Sequence, residues 1–458
     1  MRQIITKIIK EDNFLSLAGN LVIAVLGLAG FALLARSFNP EDFAQWVIFI
    51  SGGSLIEMLR FGITNNALVR FLSGASHDQS EKLIGSNVLI SLVSTIVIAF
   101  LMIMTNVIFK DIINNSVYEL FFTWYPILAF INLPWNNALI VLQAKLEYGK
   151  ILLIKGLNSG LFFTILVCNT FIFNLSIIEL VWVLLSVNIL TSLLTIFKGW
   201  DGLIFIKRAN KSTNLTLLNF GKYSTFTLIG TNLLRNADLI IISISPLGST
   251  AVALFSIPLK LTELQQIPLR SFAATAFPKM SKASLEGNVK EVKSLFYSYS
   301  GALTYLFVFI SLITFIFAEQ FVILVSGYQY LGLETTGFDI VVLVRIFSIY
   351  GILLPIDRMT GIGLDSINKP NINAIKVFFM LLTNIIGDVI AVFIFESLLM
   401  VAISTLIFTS VGIGLGAYFL NKEFKISSIQ IFESGNRFYK TIWEQCLKAS
   451  KEFNFSKN

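Results

Sequence analysis

Charge is what this chain has least of. Only 13% of its residues are Asp, Glu, Lys or Arg, against about 25% in a typical soluble domain. So little charge cannot clothe a soluble fold of 458 residues. The single histidine, His77, stands in a polar stretch with no cysteine cluster near it, which argues against a metal centre. The two cysteines, Cys168 and Cys446, fall in an apolar run and in the carboxy-terminal tail, so no structural disulfide is expected. No glycine-rich phosphate loop and no nucleophile constellation appears, so no enzyme activity is expected.

What is present is apolar. Hydrophobic residues make up 55% of the chain, with 42 Phe, and the mean hydropathy is +0.79. The reading is an all-α polytopic membrane protein. A span needs about 20 mostly apolar residues. Twelve such runs are found, at roughly 14–35, 43–60, 83–106, 118–142, 153–173, 178–197, 218–243, 249–276, 295–317, 339–357, 374–395 and 398–420. The opening MRQIITKIIKEDNF looks like a signal peptide but lacks a clean cleavage site, so it is read as leading into an uncleaved first span.

Lys and Arg orient the spans. With the amino terminus inside, only Arg36 and Lys110 fall outside, and the other loop cations fall inside. Both termini are then cytoplasmic. The net charge of +7 is scattered between spans, which does not suggest a nucleic-acid partner. Trp46, Trp124 and Tyr125 fall near expected outer boundaries, where an aromatic belt belongs. In the tail, Phe438, Tyr439, Ile442, Trp443, Cys446 and Leu447 recur on one helical face among Arg437, Lys440, Lys448 and Lys451. That pattern predicts an amphipathic helix on the cytoplasmic membrane surface.

The chain divides near its middle. Residues 1–200 form one six-helix bundle, 201–217 a cytoplasmic linker, 218–420 a second six-helix bundle and 421–458 the tail. Sliding 13–57 onto 219–263 aligns Pro40 with Pro246 and Glu57 with Glu263. Parallel repeats of this kind place a substrate site at their interface, near mid-membrane.

ARSFNPEDFAQWVIF, NFGKYSTFTLIGTNLLRNADLIIIS and AVALFSIPLKLTELQQIPLRSFAATAFPKMSK resemble elements of Wzx-type O-antigen and exopolysaccharide repeat-unit flippases. These belong to the multidrug/oligosaccharidyl-lipid/polysaccharide exporter superfamily. The resemblance implies a MATE-like fold of two six-helix bundles around a central cavity. It implies a cargo of one oligosaccharide repeat unit on undecaprenyl diphosphate, flipped from the cytoplasmic to the periplasmic leaflet of a bacterial inner membrane. A polysaccharide polymerase and a chain-length regulator are the protein partners it implies, beside membrane lipids.

Several ionisable residues sit inside expected spans, where such groups usually face a bundle interior or an aqueous path. Arg235, Lys260, Arg270, Arg345 and Arg60 are expected at the anionic head group, since Arg binds phosphate through paired donors and Lys as a point charge. Asp238, Glu263, Glu57 and Asp388 are expected to compensate charge or carry a coupling H+ or Na+. The bland alternative is also visible. Glu57/Arg60, Arg235/Asp238 and Lys260/Glu263 are acid–base pairs three residues apart, which could merely neutralise themselves. Asn65/Asn66 and Asn136/Asn137 read as helix caps in preference to partners for sugar hydroxyls. A multidrug exporter is the nearest rival, though an acid-rich cavity would suit organic cations better. A polysaccharide polymerase or ligase is a further rival, but no long outer loop carries catalytic groups.

Overall fold

Each of the twelve apolar runs coincides with a helix or a bent helix pair. A computed structural model describes residues 12–72, 75–145, 147–332 and 339–455, with no strand among them. Some helical side chains, those of Arg235, Thr227, Thr231 and Asn66 included, lie outside the described set. The first half supplies α1 (Asp12–Ser37), α2 (Pro40–Leu72), α3 (His77–Ile108), the pair α4 (Glu119–Ile131) and α5 (Leu133–Ala144), α6 (Tyr148–Cys168) and α7 (Ile177–Phe197). The second supplies α8 (Lys211–Ser243), α9 (Ser249–Leu285), α10 (Val289–Ile316), α11 (Ile340–Ser366), α12 (Pro370–Phe393), α13 (Leu398–Asn421) and α14 (Ser428–Phe455). Among the described residues, eight helices are long and apolar enough to cross a membrane, and the α4–α5 pair makes up to nine. The chain is thus a multi-pass membrane protein. The long helices α8 and α9, which carry embedded charges, are not among those eight.

Local sequence explains where helices begin. Ser176 and Glu179 form a reciprocal capping box at α7. Asn210 caps α8 by accepting the Thr213 amide at 2.8 Å, and Asn288 caps α10 through the Glu291 amide at 3.1 Å.

The helices group into two compact units. The first holds residues through Ile244, with Gly248–Leu254 and Leu324–Gln329. The second holds Ser245–Leu247, Phe255–Ile323 and the rest from Tyr330. These units do not coincide with the halves read from the sequence, because α8 packs against α2 and α3 in the first unit. The expected linker, 201–217, includes the start of α8. A short 3-10 turn, Leu203–Arg208, docks on α3, where Gly85 leaves room for the Phe205 carbonyl. Gly202 makes the entry to that turn at φ +75°, a conformation glycine adopts without strain.

The tail helix also differs from expectation. It forms, but its first half packs along α10. Glycines let the two backbones approach, since a methyl added at Gly435 would sit 2.6 Å from the Gly301 carbonyl oxygen. Tyr439 donates to Ala302 O at 2.9 Å, and Tyr297 accepts the Ser427 amide at 2.9 Å. Tyr439, expected on the lipid-facing stripe, is therefore a helix–helix contact. The side chains of Ile442, Trp443, Cys446, Leu447, Lys448 and Lys451 lie outside the described residues. Gly435→Leu should overpack this seam at a cost of about 1–3 kcal/mol. The expected result is faster proteolytic loss of the tail in detergent. Unchanged protection would show that the seam does not hold the tail.

Candidate functional site

Span four is broken, and the break organises the first unit. Pro134 near the start of α5 has no N–H to donate, and the axis bends by 53° between α4 and α5. Carbonyls at the end of α4 therefore need other donors, because an unmet group in a membrane costs several kcal/mol. Ser192 of α7 donates to Ile131 O at 2.5 Å. The Arg60 guanidinium donates to Ala129 O. A cation here also meets the negative end of the α4 dipole.

Arg60 is wholly buried. Its Nη1 donates to Glu57 Oε1 at 2.9 Å and to Asn132 Oδ1 at 3.1 Å. Nε and Nη2 donate to Thr95 Oγ1 of α3 at 3.0 and 2.9 Å. The guanidinium also stands 4.8 Å from the Phe61 ring centre. The sequence reading placed Arg60 at the substrate head group. Its side chain has no exposed surface, so it instead ties α2 to α3 and to the break in span four.

Glu57 is the open end of this network, with 25% of its side chain exposed. Oε1 accepts Asn132 Nδ2 at 2.7 Å and Tyr125 OH at 2.9 Å besides Arg60. Oε2 accepts Asn136 Nδ2 at 3.1 Å. Tyr125 is buried rather than part of an aromatic belt, and Gly53 makes room for its ring. Neither Asn136 nor Asn137 caps a helix. Asn137 lies inside α5, accepting from Asn87 of α3 at 3.0 Å. The polar seam thus continues along α3 through Asn87, Ser91 and Thr95, one turn apart and all fully buried. Asp238 of α8 is likewise buried in the first unit. Arg235, its expected partner, has its side chain outside the described residues.

In the second unit, Lys260 and Glu263 of α9 pair at 2.8 Å, each with somewhat over a quarter of its side chain exposed. Arg270 is exposed and donates to Gln266 Oε1 at 3.4 Å. Arg345 of α11 is exposed beside Phe315, 5.7 Å from the ring centre. Asn384 and Asp388 of α12 are completely buried, the amide donating to the carboxylate at 3.0 Å. A carbon added at Gly387 would collide with the Ser404 hydroxyl of α13, so that hydroxyl lies close by.

One further charge in this unit is buried. Lys376 lies 2.7 Å from Asp357 Oδ1, donates to Thr360 Oγ1 at 3.0 Å and is almost wholly buried. The available signal was Gly412 and Gly416 on α13, which leave space for Asp357 and Thr360. Among the described residues, no cluster of His, Cys, Asp or Glu could hold a metal ion.

The fold resembles that of solved MATE-type transporters. An inward-facing multidrug-resistance MATE transporter superposes with a TM-score of 0.70 at 16% identity, over 87% of this chain and 95% of that one. A superfamily transporter from Pyrococcus furiosus, described as having a binding pocket of reverse polarity, gives 0.58 at 18% identity over 89% and 94%. A MATE protein in the straight conformation gives 0.56 at 17% identity over 90% and 98%. At such identities the likeness speaks to fold. The chain itself belongs to the polysaccharide biosynthesis protein family, whose model matches residues 9–284, more than half of its length. No curated protein matches it.

Proposed function

We propose that this protein is a flippase. It carries oligosaccharide repeat units on undecaprenyl diphosphate from the cytoplasmic to the periplasmic leaflet of a bacterial inner membrane, by alternating access. The observation that carries this reading is a pair of exposed arginines, Arg270 and Arg345, on long helices of a polysaccharide-biosynthesis protein with a transporter fold. Exposed guanidinium groups on spans are costly in lipid and point to water or to an anion. A diphosphate supplies that anion, and Lys260 on α9 and Arg235 on α8 are each proposed as further phosphate contacts. Asp238 and Glu263 offset part of this positive charge in the empty state.

Coupling is proposed to run through Asp388, with H+ or Na+ as the ion. Its buried setting beside Asn384 and near Ser404 offers oxygen ligands. The polymerase, the chain-length regulator and surrounding lipids are the proposed partners. The reverse-polarity pocket of the Pyrococcus furiosus protein supports the view that pocket charge varies on this fold. The embedded cations weigh against export of organic cations.

Deleting the gene should abolish surface polysaccharide and leave lipid-linked oligosaccharide accumulated inside, with the plasmid-borne gene restoring both. Normal polysaccharide in the deletion strain would refute the reading. In the same cells, reporter fusions should place Asp111 outside and Lys211 and Asn458 inside. A cytoplasmic signal at Asp111 would reverse the orientation.

A further inference from the structure

The two oxygens of Glu57 are not equivalent. Oε1 is saturated by Arg60, Tyr125 and Asn132, at 2.9, 2.9 and 2.7 Å. Oε2 accepts one donor among the described residues, Asn136 Nδ2 at 3.1 Å. Asn136 is half-buried, and its Oδ1 and second N–H make no hydrogen bond among the described residues. A partly open carboxylate oxygen therefore lies next to an amide with one acceptor and one donor unused.

Charge decides what such a pair can take. Arg60 lies 2.9 Å from the carboxylate and is itself fully buried, so the Glu57 charge is largely cancelled from within. A metal cation gains little there, whereas neutral hydroxyls gain hydrogen bonds. Two neighbouring hydroxyls of a sugar ring present donors and acceptors at a spacing an amide and a carboxylate can meet together. The exposed quarter of Glu57 cannot comfortably face lipid, which directs it to an aqueous path. The same Arg60 and Asn132 close the break in span four, so the carboxylate is held by a rigid frame.

We propose that Glu57 Oε2 and Asn136 form a hydroxyl-binding subsite for the sugar part of the cargo. Arg60, Tyr125 and Asn132 are its positioning residues. The proposal rests on the flippase reading above.

The test uses the full-length protein in nanodiscs. The two probes are lipid-linked oligosaccharide purified from cells deleted for this gene and sugar-free undecaprenyl diphosphate. Asn136→Ala leaves the Glu57–Arg60 pair intact and should fold normally, as melting will report. It should weaken binding of the glycosylated lipid about tenfold or more, the worth of a hydrogen bond to a charged network. Binding of the sugar-free lipid should not change. Equal loss for both lipids, or no loss for either, would overturn the subsite. If the unaltered protein gains no affinity from the sugar, the subsite fails while the flippase reading stands. If it binds neither lipid, both fail.

Discussion

Arg60→Met should leave little folded protein in the membrane. The substitution strands the Glu57 carboxylate and removes the donor to Ala129 O at the break in span four. Breaking one side of a buried pair typically costs about 3–5 kcal/mol, a large part of the ~5–15 kcal/mol that holds a domain together. The expected readouts are low membrane levels and a sharply lowered melting temperature in detergent. Adding Glu57→Gln to Arg60→Met removes the stranded charge and should recover part of the loss. Arg60→Met at normal level and melting temperature would show that Arg60 does not hold the break. It would also reopen a direct role for Arg60 at the head group.

The second large effect is on transport rather than stability. Arg235→Leu with Asp238→Leu replaces an acid and a base on α8 by apolar groups, a swap that is often neutral or stabilising when a pair only balances itself. Asp238 is buried in the first unit, so the double variant should reach the membrane at normal levels. If Arg235 holds the diphosphate, loss of that charge-assisted contact removes about 1.5–3 kcal/mol of binding, a ten- to hundredfold loss. Surface polysaccharide should then fail to return in a deletion strain. Full restoration by a normally expressed double variant would remove Arg235 from the site.

Hydropathy located the helices along the chain but not the direction each side faces. The twelve runs and the capping box at Ser176–Glu179 were legible because both signals are local. The role of Arg60 was not. Its partners Thr95, Ala129 and Asn132 lie 35 to 72 residues away, and spacing within α2 reveals only Glu57. Tyr125 looked like a belt residue because an aromatic near a span end carries the same composition signal whether it faces headgroups or core. The pairing of Lys376 was hidden for a similar reason, since its partner Asp357 comes from another helix. The tail was amphipathic as read. What its apolar face meets depended on Gly301, more than a hundred residues earlier. The grouping of α8 with the first unit likewise depends on packing against α2 rather than on chain order.

Translocation by the purified protein is the most direct test. The full-length chain would be reconstituted into liposomes carrying lipid-linked oligosaccharide in the inner leaflet, with a sugar-oxidising enzyme outside as the reporter of arrival. Rapid, protein-dependent exposure of the sugar is the expected result. It should slow strongly with the Arg235→Leu, Asp238→Leu variant and respond to an imposed H+ or Na+ gradient. A well-folded protein that leaves the sugar inside at the rate of empty liposomes would contradict the assignment as a flippase.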